Sequence, residues 1–155
     1  MTFSNLSDGH GGHPRPGIGN ANAFLTSGTP YITGSTEMNG SSEVAQDRGQ
    51  HVITLPRVAR EVVVWNKGTV DLRIAFSTMA AAGGAVPAVG EAITKKHYIT
   101  IAGGDSFEFR AKCTKVYIQN THATTKASYQ FYAEITSVPA GDMYALTGSG
   151  ISSGG

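Results

Sequence analysis

His97–Asn120 reads HYITIAGGDSFEFRAKCTKVYIQN, and three short runs in it alternate apolar with polar residues. Ile99 and Ile101 lead into Ala102-Gly103-Gly104-Asp105; Phe107 and Phe109 alternate with Ser106, Glu108 and Arg110; Val116 and Ile118 alternate with Lys115, Tyr117 and Gln119. Side chains on a strand point to opposite faces in turn, so each run has one dry and one wet face. Gly-Gly-Asp supplies the positive φ that a tight turn demands. The stretch predicts a β-meander at the centre of an all-β fold.

Comparable runs lie on both sides. Val52–Leu55 reads as a first strand that Pro56 stops, because proline cannot donate to a ladder. Glu61–Trp65 and Asp71–Phe76, joined by the turn Asn66-Lys67-Gly68, read as a hairpin. Ala127–Val138 gives the longest strand, with Tyr129, Phe131, Ala133 and Ile135 facing one way and Gln130, Tyr132, Glu134 and Thr136 the other, closed by Pro139. Residues 79–92, MAAAGGAVPAVGEA, carry too many glycines and a proline for a helix and read as a loop. Seven or eight strands with no helix predict an antiparallel β-sandwich or jelly roll over residues 51–142.

Residues 1–50 differ in character. They hold nine of the 20 glycines, with Pro14, Pro16 and Pro30 and many Ser, Thr and Asn. No strand or helix period persists, so an extended N-terminal arm is expected, unable to bury enough apolar surface to order itself alone. Phe3, Leu6, Ile18, Phe24, Leu25, Tyr31 and Ile32 are spaced along it as anchors for another protein surface. Residues 143–155 read as a Gly/Ser tail whose Tyr144 and Leu146 join those anchors. The front YITGS and the end YALTGS echo each other as edge-like segments, an echo that a Gly/Ser/Thr-rich chain also produces by chance.

Composition narrows the function. Charged residues make up 15% of the chain, against roughly a quarter in ordinary soluble domains. A net charge of +1 gives no general pull toward nucleic acid or an anionic membrane, and no apolar run spans a bilayer. MTFSNLSDGHGGH lacks the blocks of a secretory signal, so synthesis in a cytoplasm without export is expected. The single Cys113 forms no internal disulfide framework and reads as a small buried apolar residue.

Chemistry-bearing residues are scattered. Asp8, His10 and His13 sit within DGHGGH, but glycine gives them no fixed frame for a metal. His51, His97 and His122 border different strands and read as solvated strand-end residues. Glu61, Asp71, Glu91, Asp105, Glu108 and Glu134 occur singly, and neither a Gly-x-Ser-x-Gly elbow nor a phosphate loop is present. Lys95, Lys96, His97, Arg110, Lys112 and Lys115 read as a solvated strand face rather than a phosphate-binding patch. Trp65, Tyr98, Tyr117 and Tyr132 suit core or interface packing, with a sugar-stacking platform as the alternative. The expectation is a protein with no catalytic residues, cofactor or metal.

Val62–Ser77 (VVVWNKGTVDLRIAFS), Tyr98–Asn120 and Tyr129–Thr136 (YQFYAEIT) together resemble the small β-sandwich structural proteins of tailed-phage virions, capsid decoration (cement) proteins above all. The resemblance is one of pattern: a strand ending in an Asn-containing turn, an apolar strand into Gly-Gly, then a Lys-x-Tyr-Ile strand. It implies a homo-oligomer on the capsid surface whose extended terminus locks onto the major capsid protein, a role that residues 1–50 suit. The alternatives are a carbohydrate- or receptor-binding sandwich of a phage fibre, and a head–tail adaptor or tail component.

Overall fold

A computed structural model describes residues 28–41, 49–77, 96–144, 146–147 and 150–151. The expected anchors Phe3, Leu6, Ile18, Phe24 and Leu25, the DGHGGH motif, Lys95 and the 79–92 loop lie outside the described residues.

The class is the one expected, all-β and antiparallel. Among the described residues are nine strands, β1 (Thr29–Met38), β2 (Gln50–Asn66), β3 (Leu72–Ala75), β4 (Ile99–Ile101), β5 (Ser106–Phe109), β6 (Cys113–Asn120), β7 (Ala127–Pro139), β8 (Leu146–Thr147) and β9 (Gly150–Ile151). Seven form one sheet in the order β1-β7-β2-β6-β3-β4, with β5 also paired to β2.

The organising element is β2, at 17 residues longer than the 13-residue β7. Its first part, Gln50–Thr54, pairs with β6, and its last part, Glu61–Asn66, pairs with β7 and β5. Register shifts between Arg57 and Glu61 mark the change of partner. Ile53 and Leu55 are buried before it, Val62 and Val64 after it, so the inward set switches from odd to even numbers. An inserted residue in one strand bends and twists the ladder in this way. Pro56 therefore does not stop the strand: it falls in the irregular stretch between Thr54↔Lys115 and Ala59↔Cys113 and before the first β7 partner, Arg57, where it has no register partner and its missing N–H costs no ladder bond.

β2 joins two leaves of this one sheet. One is β1-β7-β2-β5, the other β2-β6-β3-β4. A single core cluster draws on both, from Phe131, Val62 and Val64 to Leu72, Val116 and Ile118. Phe76, just beyond β3, meets Phe109 of β5 edge-on, with ring centroids 5.6 Å apart.

Two local expectations give way to this arrangement. The β2–β3 hairpin does not form, since β3 pairs with β4 and β6. The His97–Asn120 meander is likewise split: β4 lies in one leaf and β5 in the other, so Ala102–Asp105 crosses between leaves. The turn chemistry itself is as read, with Gly104 at φ +85° and the Asp105 N–H bonded to the Ala102 carbonyl at 3.1 Å.

Asn66 fastens that crossing. Its backbone exchanges bonds with Asp105 and Gly104, while its buried Nδ2 donates to the carbonyls of Val70 (2.7 Å) and Ile101 (3.1 Å). Asn120 does the same for the neighbouring loop, donating to Asn39 O and Thr125 O and accepting from His122 N. Both satisfy backbone groups that leave the ladders at this end of the body.

The expected arm and tail also change. Thr29–Met38, inside the 1–50 segment, is a sheet strand, and in the tail β8 and β9 pair antiparallel. The echoing segments do not pair with each other, since β1 pairs with β7 and β8 with β9. On β7 the inward set is as expected, although Thr136 is buried as well, its Oγ1 donating to Val58 O at 2.7 Å.

Candidate functional site: the free edge of β1 and its flanks

β1 pairs only with β7 among the described residues, from Thr29↔Ile135 to Met38↔Ala127, which leaves its other edge open. Such an edge offers a row of backbone donors and acceptors to another strand. Alternation along β1 turns Tyr31, Thr33 and Ser35 inward and Pro30, Ile32, Gly34 and Thr36 outward. Tyr31 meets Phe131 edge-on at 6.4 Å, so this expected partner anchor packs on its own core, as does Leu146. Ile32 and Tyr144 are the expected anchors that the surface presents, 77% and 54% exposed.

The outer face beside this edge is partly apolar. Ile32, Tyr132 and Val63 stand in one cross-strand row, and Gly34, Gln130 and Trp65 in the next. Gly34 leaves the second row without a side chain on β1, which opens a shallow hollow of about 970 Å³ between Ile32, Tyr132 and Trp65. A Cβ at Gly34 would come within 2.6 Å of the Tyr129 carbonyl, so the strand approaches β7 closely there. A second hollow, about 270 Å³, lies on the inner side of β1 between Tyr31, Thr33, His51 and the half-exposed Val52. At its base the Tyr129 hydroxyl and His51 Nδ1 share a hydrogen bond of 3.1 Å. Burial, with Tyr31 adding to it, pushes the Tyr129 phenol up to about 12, so it stays neutral.

The entry to β1 is held by charge. Gly28 N–H donates to Glu134 Oε1 at 2.8 Å, and Arg60 Nη2 lies 2.6 Å from the same oxygen. The Gly28 bond first, then Arg60, keep the Glu134 carboxyl below its usual range. The fold also gathers carboxylates that looked isolated in sequence: Glu61 stands opposite Glu134, and Arg110 sits 3.5 Å from Glu61 and 3.7 Å from Glu108. Arg110 is 81% exposed, so water screens those pairs.

The other candidates are dispersed. Trp65 and Tyr132 share the outer face of one leaf, whereas Tyr98 and Tyr117 pack beside Ala75 on the other, with Arg73 4.6 Å over the Tyr98 ring. His122 Nδ1 accepts the Thr125 N–H at 2.9 Å and shapes a turn, and His97 stands half-buried before β4. Cys113 is buried, which pushes its thiol up to about 12. Among the described residues no His, Cys, Asp and Glu side chains gather as a metal-holding group, and no helix is long and apolar enough to cross a membrane.

Sequence reading took YITGS as an edge-like segment but missed the full strand Thr29–Met38, the Gly34 hollow and the Glu134 clamp. The available signal was the density of strand-forming Thr, Tyr and Ile in TPYITGST.

No protein-family model matches the chain, and no curated protein matches it. Among solved structures it is similar to one described as "Bacillus endospore appendages form a novel family of disulfide-linked pili", at 17% identity over 72% of this chain and 93% of that one, with a TM-score of 0.32.

Proposed function

We propose that this chain is a structural assembly protein, in its most concrete form a capsid decoration protein that holds neighbouring capsid subunits together through its leading segment and the β1 edge. The observation that carries the reading is the ten-residue strand β1, whose outer edge has no partner among the described residues and which follows that leading segment in the chain. An open edge binds through main-chain bonds, and pockets for alternate side chains add selectivity. Repetition around a symmetric lattice then raises the effective concentration of each weak contact. The virion setting comes from the sequence resemblance over Val62–Thr136. The test is sedimentation of intact virus particles from an infection that expresses the chain: many stoichiometric copies should travel with the particles. Recovery only in the unbound fraction would end the proposal.

A second reading has one observation in its favour. Trp65 and Tyr132 flank the Gln130 amide on an exposed face, an arrangement suited to stacking a sugar ring while bonding its hydroxyls. A glycan array probed with the chain and with Trp65→Ala decides it, since glycan binding that depends on Trp65 is required.

A further inference from the structure

We infer that the open edge of β1 receives the leading segment of a second copy of this chain, with the copy's Phe24 seated over Gly34 and its Leu25 turned into the inner flank. The inference rests on the reading of the leading segment as a clamp and names its partner.

Three observations converge on it. First, the edge has a hollow on each side: the larger one over Gly34 on the outer face, and the smaller one between Tyr31, Thr33 and Val52 on the inner face. Consecutive residues of an added strand point to opposite faces, so filling both hollows takes two neighbouring apolar residues. Phe24-Leu25 is such a pair, and it lies just before the strand.

Second, Gly34 specifies the larger of the two. A glycine in a strand leaves a gap beside its neighbours, and an aromatic ring laid across from it covers that gap. Ile32, Tyr132 and Trp65 line this one, and it borders the edge of β1 that has no partner among the described residues.

Third, the chain cannot supply Phe24 to its own Gly34. Both residues lie five positions from Thr29, so setting them opposite each other in one chain leaves only Thr29 for the turn, and Thr29 is already paired with Ile135 in the β7 ladder. A hairpin needs at least two loop residues. A tight hairpin would instead bring Phe24 near Pro30 or Tyr31, short of the hollow. A second copy has no such limit, because 27 residues reach on the order of 90 Å when extended.

Trp65 is the only tryptophan and stands on the wall of the hollow, 38% exposed. A ring seated over Gly34 therefore shields it. Sedimentation velocity and Trp65 emission are measured on the full chain from about 1 to 100 μM, a range that brackets micromolar affinity. The wild type should pass from monomer to larger species as its emission shifts to the blue. Phe24→Ala, which precedes the first described strand, should weaken assembly about thirty-fold, the scale of losing an aromatic anchor, with an unchanged circular dichroism spectrum. Ile32→Lys, altered on the receiving edge, should weaken it similarly, and mixing the two variants should not restore wild-type assembly.

A wild type that stays monomeric throughout overturns the inference, as does Phe24→Ala assembling like the wild type. If the monomeric chain still sediments with virus particles, the clamp stands and its partner is another protein. If the chain assembles as expected yet is absent from particles, the virion role falls and the self-docking stands.

Discussion

Replacing Asn66 by Asp changes little in shape but turns the donor of two hydrogen bonds into an acceptor that faces two carbonyls. The Asn66 Nδ2 donates to the carbonyls of Val70 and Ile101 at 2.7 and 3.1 Å, and its Oδ1 accepts the Gly68 N–H at 3.1 Å, with the residue 1% exposed. Asn66→Ala removes three bonds and should cost about 2–4 kcal/mol, given about 1 kcal/mol for each and the penalty for carbonyls left without donors. Asn66→Asp at pH 7 puts a carboxylate oxygen against the same two carbonyls. An unpaired buried charge costs more than a missing bond, so it should be less stable than the alanine variant by about 1–3 kcal/mol. Acid should relieve the difference, because a protonated carboxyl can donate again. The folded state then holds a proton that the unfolded state releases, so the folded pKa is raised and stability falls as pH rises. The fall begins near the unfolded value of about 4 and ends near the folded one. A rise of about two units gives about 2.7 kcal/mol between pH 4 and 7. Urea titrations followed by Trp65 emission and far-ultraviolet circular dichroism measure this directly, with wild type and Asn66→Ala as references. If Asn66→Asp matches or exceeds Asn66→Ala at pH 7, or its deficit against wild type is flat from pH 4 to 7, Asn66 does not hold the crossing as described.

At concentrations below those at which copies associate, removal of residues 1–27 should leave the urea midpoint unchanged, whereas removal of 1–35 takes most of β1 and exposes Phe131 and Tyr129; at roughly 1.5–3 kcal/mol for each large side chain, the longer truncation should lose cooperative unfolding. Cys113, buried with its thiol pushed up to about 12, should resist an aromatic disulfide reagent at pH 8 in the native state and react fully in urea, as absorbance of the released thiolate reports. Glu134 has its carboxyl held below the usual 4.5, so its bond to Gly28 should persist above that value and be lost as pH falls through the lowered one. Glu134→Ala should remove the hydrogen-exchange protection of the Gly28 amide at pH 6 and leave protection in β6 intact.

Periodicity carried the strands whose two faces differ most. β7 is plain because Tyr129, Phe131, Ala133 and Ile135 alternate with polar residues, and β6 for the same reason. Only the YITGS part of β1 was legible, because an edge strand with one half-buried face alternates Thr and Ser with Ile and Tyr, and its inward side chains carry hydroxyls. Pairing was hidden for a different reason. Turn chemistry at Gly104 specifies a reversal but not which leaf receives the next strand, and the Phe76–Phe109 contact that decides it joins residues far apart in sequence. Pro56 misled because a proline is costly only where a ladder bond is required, and the irregular stretch between Thr54 and Arg57 leaves it without a register partner. The candidate site depends on an absent side chain at Gly34 and on an edge unpaired among the described residues, and neither has a sequence motif.

Gly28 and Glu134 bond across 106 residues of sequence, and the whole β1–β7 ladder joins segments about that far apart. During translation β1 leaves the ribosome first and waits for nearly the entire domain before its partner exists. Pairings this distant form slowly, since loop closure precedes any reward from contact. Throughout that delay, the newly made chain shows the tyrosine and threonine side of β1 to whatever lies nearby. On a polysome the nearest partner of matching shape is the β7 of another nascent copy.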